Sequence, residues 1–167
     1  KVLVVYATKS GCTTGVAEHI GAGFVDRDAV VDVVCADEAP QPEGYDAVIV
    51  GSGIRVGQWH EAARSWVTSH ADALKQMPVA FFTVNLTQVT EPERADEIRA
   101  WTDPLTQSTG VAPVDVAAFP GWFEPKQFSL LERTILKAMK APQGDFRDYQ
   151  QVDEWTEKVA PSLGLAG

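Results

Sequence analysis

Residues 2–14 of the chain read Val2-Leu3-Val4-Val5-Tyr6-Ala7-Thr8-Lys9-Ser10-Gly11-Cys12-Thr13-Thr14. The apolar run at 2–6 does not alternate with polar residues, which is typical of a strand buried on both faces of a parallel sheet. Residues 14–24 then place apolar side chains on one face at helical spacing. The stretch therefore predicts a strand, a hydroxyl-rich turn and a helix, the repeating unit of an α/β fold.

The turn between this strand and this helix is predicted to bind a phosphate group. Backbone N–H and hydroxyl groups converge at the start of the helix, where the positive end of the helix dipole attracts an anion. The spacing matches neither a Walker loop nor a dinucleotide fingerprint, so a mononucleotide monoester fits better than a pyrophosphate. The alternative is that these residue types only cap the helix. The predicted phosphate ligands are Thr8, Lys9, Ser10, Gly11, Cys12 and Thr13.

The two cysteines, Cys12 and Cys35, have neither the pattern of a disulfide framework nor the spacing of metal ligands, so we predict no metal site. Cys12 has two interpretations because it lies at the start of a predicted helix. A lowered thiol pKa would make it a redox sensor. A single cysteine without a resolving neighbour instead favours a variable position of the turn.

The composition bounds the class of protein. The chain has 167 residues, which favours one domain over residues 1–167 with a core that needs no disulfide or structural metal. Its formal net charge of −9 argues against general nucleic-acid binding. The sequence contains no signal segment and no apolar run long enough to span a bilayer. We therefore expect a cytoplasmic protein whose contact with a membrane is at most peripheral.

Four further apolar runs predict four more buried parallel strands, at residues 30–34, 47–50, 79–84 and 111–117. The alternation of such strands with helices predicts a doubly wound α/β sheet. In a sheet of this kind, ligands bind at the carboxyl ends of the strands.

The helical patterns lie between these strands. Residues 61–74 have apolar side chains on one face, and residues 90–101 begin with a capping box and are ended or kinked by Pro104. The last helix carries a single apolar stripe, which consists of Val152, Trp155, Val159 and Leu163.

Residues 51–60 follow the third predicted strand and read Gly-Ser-Gly-Ile-Arg-Val-Gly-Gln-Trp-His. A glycine-rich loop at the end of a central strand lets the backbone approach a planar heterocycle, while an aromatic or aliphatic side chain covers its face. This chemistry suits an isoalloxazine ring, and a glycine-rich turn with an exposed arginine is the alternative. The predicted ring contacts are Ser52, Gly53, Ile54, Arg55, Gly57, Trp59, Asn85, Leu86 and Trp122.

Two side chains of this loop are candidates for a catalytic role. Arg55 is a cation that can stabilise a reduced flavin or an anionic substrate. His60 can act as an acid or a base, because its unperturbed pKa is about 6.5. Its position directly before a helix also suits an N-terminal cap, which the lack of a carboxylate partner in the sequence favours.

Residues 119–150 interrupt the alternation and are predicted to form an insertion between the last strand and the last helix. Within it, a second capping box starts a helix at Ser129. One face of that helix is basic and can meet an anionic lipid surface or the acidic groups of a ligand; the alternative is that one face simply packs on the protein. The basic stripe is Arg133, Lys137 and Lys140, and the opposite face carries Leu131, Ile135 and Met139.

Together these stretches resemble the flavodoxin-like superfamily over the whole chain and, within it, the quinone-linked protoporphyrinogen IX dehydrogenase group of bacteria. That group has a Thr-basic-x-Gly-x-Thr loop, which residues 8–13 match, and a Gly-x-x-Ile-Arg-x-Gly-x-aromatic-His loop, which residues 51–60 match. Residues 77–86 and the helix expected at 131–140 are also similar to the group.

The resemblance implies a five-stranded parallel sheet of order 2-1-3-4-5, with the insertion before the last helix. It also implies FMN at the strand ends, two-electron oxidation of a reduced tetrapyrrole, and delivery of the electrons to a quinone. A deazaflavin would fit the same planar slot. The expected partners are thus a tetrapyrrole or another small reductant, a quinone or a redox protein, and at most a peripheral membrane surface.

The chain departs from this group after the fifth strand, where residues 119–125 lack the expected arginines and tyrosines. Porphyrin propionates would then need other cations, for which the basic stripe is a candidate. Two other functions stay open. One is an electron-carrier flavodoxin, because negative charge suits docking to basic redox proteins, and the other is a non-redox domain that holds a different phosphorylated ligand.

Overall fold

A computed structural model of the chain describes residues 1–123, 129–138 and 143–165. Strands and helices alternate along it, as the apolar periodicity predicts. The strands are β1 (Val2–Ala7), β2 (Val31–Cys35), β3 (Ala47–Arg55), β4 (Gln58–Trp59), β5 (Val79–Asn85), β6 (Asp115–Pro120), β7 (Trp122–Phe123) and β8 (Gly144–Asp145). The helices are α1 (Cys12–Val25), α2 (Glu61–Ser69), α3 (Ala71–Leu74), α4 (Thr87–Thr90), α5 (Ala95–Ala100), α6 (Asp103–Thr109), α7 (Leu130–Ala138) and α8 (Tyr149–Val159).

The main sheet contains the long parallel strands in the order β2-β1-β3-β5-β6. If only these five long strands are numbered along the chain, their order in the sheet is 2-1-3-4-5. The predicted topology is therefore confirmed. The short β4 pairs antiparallel with the end of β3, and β7 pairs with β8 in a separate ribbon. The strand order reverses between β1 and β3, and the ligand crevice of an open α/β sheet lies at the carboxyl ends of strands beside such a reversal.

Two apolar clusters cover the two faces of this sheet. Side chains of α1 and α8 belong to one cluster, and side chains of α2 and α6 belong to the other. In β1, Val4 points into the first cluster and Val5 into the second, which explains why the strand is apolar at successive positions. The predicted stripe of the last helix is confirmed, since its members are all buried: Val152, Trp155, Val159 and Leu163.

The third strand is longer than predicted, because β3 does not end before Gly51 but continues to Arg55. Much of the predicted glycine-rich loop is therefore strand. Gly51 does not break the strand; it makes room for an aromatic ring, since a Cβ there would lie 1.9 Å from the ring of Phe82. The chain turns only at Val56 and Gly57, whose φ angles of 51° and 67° are those of a two-residue hairpin turn.

The fifth long strand, β6, begins at Asp115 and not at Val111 as predicted. Val111 is buried but precedes the strand. Pro113, which follows it closely, has no N–H to donate to a neighbouring strand. The chain joins the sheet where the N–H of Val114 donates to the carbonyl oxygen of Val79 (2.7 Å).

The helix predicted at 90–101 is divided into short pieces. Thr90 ends α4 rather than capping a helix, and its hydroxyl donates to the carbonyl oxygen of Leu86 (3.4 Å). A 3-10 helix, Pro92–Arg94, then leads into α5. Pro104 lies in the first turn of α6, where a missing N–H is tolerated, so the proline starts a helix after α5 has ended.

Candidate functional site

The three predicted loops meet at the carboxyl edge of the main sheet. The last residue of β1, Ala7, pairs with Ser52 of β3, and β5 ends at Asn85 on the other side of β3. A Cβ at Gly53 would lie 3.2 Å from Oγ1 of Thr13, so the phosphate turn contacts the end of β3. The parallel strands thus bring the predicted phosphate ligands and the predicted ring contacts to one edge.

The phosphate turn, residues 8–13, is closed by a local hydrogen bond in which the N–H of Gly11 donates to Oγ1 of Thr8 (3.0 Å). Gly11 has a φ of 79° and is the N-cap residue of α1, so no side chain of the described turn caps this helix. The capping interpretation therefore holds for the backbone of Gly11 and not for a side chain of the turn, and the phosphate stays a prediction. The first N–H groups of a helix have no acceptor within it, and here they face the turn in which we predict a phosphate.

Cys12 joins the phosphate turn to the start of the insertion. Its Sγ accepts a hydrogen bond from the N–H of Trp122 (3.2 Å), and a Cβ at Gly121 would lie 3.4 Å from the same sulfur. Burial raises the pKa of the Cys12 thiol to about 11. The hypothesis of a lowered thiol pKa is therefore wrong, and Cys12 is a packing and hydrogen-bonding residue of the turn.

Ser52 and His60 stabilise the hairpin of β3 and β4. The fully buried Ser52 accepts the N–H of His60 with its Oγ (2.7 Å) and donates to the carbonyl oxygen of Gly53 (2.9 Å). Nδ1 of His60 accepts the N–H of Ala62 (3.2 Å), which makes His60 the N-cap of α2. The N-cap interpretation of His60 is confirmed, and this bond leaves only Nε2 of the ring for proton transfer.

The structure does not bring Trp59 to the open edge with the other predicted ring contacts. Its ring packs edge-on against Phe81, with 5.3 Å between the centroids, and its Nε1–H donates to Oγ1 of Thr102 (3.2 Å). Ile54 pairs with Trp59 across the hairpin, and Gly57 lies against Trp101. Of these residues only Trp59 is buried in the core, whereas Ile54 and Gly57 are half-buried in the hairpin.

Three buried side-chain polar atoms have no hydrogen-bond partner within the described ranges: Nδ2 of Asn85, Oε1 of Gln88 and Nε1 of Trp122. They lie in neighbouring segments, since the N–H of Gln88 donates to Oδ1 of Asn85 (2.8 Å) and the N–H of Gly121 donates to the carbonyl oxygen of Asn85 (3.0 Å). Buried polar atoms are almost always paired. Two donors and one acceptor at this edge fit a ligand that carries both carbonyl and N–H groups, as a flavin ring does.

The two cations of the predicted site are both bound to Glu132, a residue of α7. Nζ of Lys9 lies 3.4 Å from Oε1 of Glu132, and Nη1 of Arg55 makes a close ion pair with the same oxygen. Oε2 of Glu132 accepts the N–H and the hydroxyl of Ser129, each at 2.9 Å, so the predicted capping box is confirmed. The hydrogen bonds from Ser129, with the charges of Arg55 and Lys9, lower the pKa of Glu132 to about 2.

Trp122 packs on the phosphate turn, because a Cβ at Gly11 would lie 3.8 Å from its ring. The guanidinium of Arg147 lies over the same ring, 4.4 Å from the centroid, and is paired with Asp145 (Nη2 to Oδ2, 2.6 Å). That ion pair raises the pKa of Arg147. The first turn of α1 therefore has an aromatic ring and a cation beside it.

Three apolar residues of α7 are largely exposed to solvent. They are Leu130, Leu131 and Ile135, with 72% of Leu131 accessible to solvent, so the described members of the predicted apolar face are not packed. Of the predicted basic stripe, Arg133 and Lys137 lie on α7, whereas Lys140 and the opposing Met139 lie outside the described residues. No helix within the described ranges combines the length and the apolar character needed to cross a bilayer.

Sequence reasoning missed three residues of this edge. Gln88 follows Asn85 by three positions, a spacing at which a side chain can bond the backbone N–H, and this signal could have found it. Glu132 was visible only as part of a capping box. Arg147 had no signal in the sequence, because its contact with Trp122 depends on how the ribbon of β7 and β8 folds back.

Comparison with known proteins agrees with this geometry. A family model described as the flavodoxin domain matches residues 3–150. The chain is 27% identical to the protoporphyrinogen IX dehydrogenase [quinone] of Escherichia coli strain K12, over 96% of this chain and 94% of that protein. A protein of the same name from Leishmania major is also 27% identical, over 96% of this chain and 71% of its own length.

A solved structure described as a flavodoxin from the domain Archaea superposes with a TM-score of 0.61. It is 16% identical and covers 98% of each chain, which shows the fold. The strand order, the turn after β1 and the match over residues 3–150 all agree with one family. The chain belongs to the flavodoxin domain family.

Proposed function

We propose that this protein is an FMN-dependent oxidoreductase that takes electrons from a reduced tetrapyrrole and passes them to a quinone. The observation that carries the proposal is the set of unpaired buried polar atoms of Asn85, Gln88 and Trp122 beside the phosphate turn. The family match supports a flavin, and the relatives named protoporphyrinogen IX dehydrogenase [quinone] support the substrate and the acceptor.

The residues present fit an FMN molecule. The turn at residues 8–13 would hold its phosphate through backbone N–H groups, hydroxyls and Lys9. Asn85 and Trp122 would donate hydrogen bonds to its ring, and Gln88 would accept one. Bound FMN would supply an acceptor for two electrons.

The contribution of the chain is to bind, orient and balance charge. Arg55 lies at the end of β3, where its positive charge stabilises negative charge on a ligand. Ser52 holds the backbone of the hairpin that carries Arg55, because the Ser52 hydroxyl accepts a hydrogen bond from the N–H of His60. His60 is left out of the proposal, since its Nδ1 caps α2.

A cofactor titration tests the flavin. Quenching of flavin fluorescence is expected to show FMN binding, and mass spectrometry of the cofactor released from native protein is expected to show FMN and not a deazaflavin. Thr8→Val and Thr13→Val should each weaken FMN binding about fivefold, the effect of one lost hydrogen bond of about 1 kcal/mol. Thr68→Val, an exposed threonine of α2, is the matched control. No binding of FMN, with no effect of either turn variant, would sink the proposal.

An electron carrier is the second candidate, because a net charge of −9 suits docking to basic redox proteins. Anaerobic mixing separates the two. The flavin absorbance of an oxidoreductase should fall when protoporphyrinogen is added and return with a menaquinone analogue. Absorbance that responds only to a reduced protein partner would identify the carrier instead.

A further inference from the structure

We propose that Lys9 and Arg55 form a receiving site for the oxyanion group of a ligand, and that Glu132 occupies this site until such a ligand displaces it. The ligand group is a phosphate or a carboxylate. The inference rests on the proposed function, because that function supplies both anions: the phosphate of the cofactor and the carboxylates of a tetrapyrrole.

The first support is the origin of the two cations. Lys9 comes from the phosphate turn and Arg55 from the end of β3, and the two segments lie side by side because Ala7 pairs with Ser52. Both cations bind a single oxygen, Oε1 of Glu132. Two positive side chains on one carboxylate oxygen form the arrangement that a ligand carboxylate or phosphate would also take.

The second support is that Glu132 is held ready to occupy this position. Its other oxygen, Oε2, accepts two hydrogen bonds from Ser129, so the carboxylate is oriented by its own helix start as well as by the cations. The residue is 123 positions from Lys9 in the chain and 77 from Arg55. The insertion therefore places a carboxylate of the protein itself on the cations of the cofactor edge.

The third support is that this contact can be displaced. The side chains of Lys9, Arg55 and Glu132 are 57%, 33% and 29% exposed, and partly exposed ion pairs are weak. The described apolar side chains of α7, such as Leu131 and Ile135, face solvent and add little to hold the helix at this edge. A ligand with a stronger or better placed anion can compete with Glu132 for the two cations.

The test compares the wild type with Glu132→Gln, which removes the charge but keeps a side chain that a capping box accepts. The matched control is Glu157→Gln, a glutamate paired with Arg27 (3.6 Å) at the opposite edge of the sheet. Dissociation constants are measured for FMN and riboflavin by flavin fluorescence. In protein already loaded with FMN, absorption spectra give the dissociation constants of protoporphyrin IX and of its uncharged dimethyl ester.

Loss of the internal competitor should tighten binding of the charged member of one pair about fivefold and leave its neutral member unchanged. A gain for FMN over riboflavin identifies the cofactor phosphate as the ligand group. A gain for protoporphyrin IX over its ester identifies a substrate carboxylate. Lys9→Gln in the Glu132→Gln background should abolish either gain. No gain in either pair, equal changes for charged and neutral members, or the same gain in Glu157→Gln would overturn the inference.

A phosphate titration tests this inference independently of the proposed function. Inorganic phosphate is titrated into the nitrogen-15-labelled protein while the amide signals of Gly11 and Arg55 are followed. The Glu132→Gln variant should bind phosphate more tightly than the wild type even if no flavin binds. Equal phosphate affinity in the two proteins would overturn the inference while leaving FMN binding intact.

Discussion

The phosphate turn and the helix of the insertion lie at the same edge of the sheet and are stabilised in opposite ways. The turn follows β1, whose valines are fully buried, and it is closed by a bond between Thr8 and Gly11, three residues apart. Helix α7 exposes its described leucines and isoleucine and meets the edge through ion pairs from Glu132. The difference teaches that the turn rests on a packed core, whereas the described contacts of α7 with this edge are ion pairs.

The largest effect is expected from the core beneath the turn. Phe82 is fully buried, lies against Gly51 and is 6.1 Å from the ring of Phe119 between centroids. Phe82→Ala should lower the free energy of unfolding by about 3–5 kcal/mol, because it leaves a cavity. Urea denaturation followed by tryptophan fluorescence measures this. A change below 1 kcal/mol would show that the turn does not depend on this core.

A smaller effect comes from Cys12 at high pH. Burial raises its pKa from 9.0 to about 11, so the fold favours the neutral thiol. The stabilisation is complete below pH 9 and is lost as the pH rises through 11, because the unfolded chain ionises first. The free energy of unfolding should fall by up to about 2–3 kcal/mol over this range. The Cys12→Ala variant serves as reference, and a wild type whose stability runs parallel to it would contradict the prediction.

Next in size is the cap of α7. Ser129→Ala removes the hydroxyl that bonds Glu132 and the helix start, which should cost about 1 kcal/mol of local helix stability. Hydrogen exchange of the α7 amides should quicken, whereas the urea midpoint of the whole protein stays the same. If the midpoint fell along with the exchange protection, α7 would belong to the same cooperative unit as the core.

The smallest effect is expected on the exposed face of α7. Leu131→Ala removes a side chain that is 72% exposed, so the free energy of unfolding should change by less than about 0.5 kcal/mol. The same denaturation experiment as for Phe82→Ala provides the comparison. A loss above 1 kcal/mol would mean that Leu131 is packed in solution.

Much of the fold could be predicted from local patterns. Runs of valine and isoleucine predicted the five long parallel strands, because strands buried on both faces must be apolar throughout. Burial was predicted correctly for β1, β3 and β5 and wrongly for β2, which is half-buried at every position because it lies at the edge of the sheet. The errors arose where one residue type serves two purposes. Gly51 suggested a loop but accommodates the Phe82 ring within a strand, and Thr90 suggested a helix start but bonds back to Leu86 at a helix end.

Part of the candidate site could be predicted in the same way. The turn at residues 8–13 was predicted correctly because its shape depends on neighbours in the chain, and its binding of a phosphate stays a prediction. Trp59 was expected at the open edge but lies in the core, since the extended β3 and its hairpin turn the ring toward Phe81. The side of a hairpin on which a side chain lies depends on the pairing register of its strands, here Ile54 with Trp59, and local patterns do not define that register.

The sequence by itself determined the strand, turn and helix of residues 2–25, because these follow from periodicity and from bonds between near neighbours. The order of the long strands followed only from the resemblance to a known family. Only the tertiary structure decided that Glu132 binds both Lys9 and Arg55, and that Asn85, Gln88 and Trp122 leave polar atoms unpaired at one edge. Those contacts join segments far apart in the chain. Their distances depend on how whole elements pack, which no local pattern encodes.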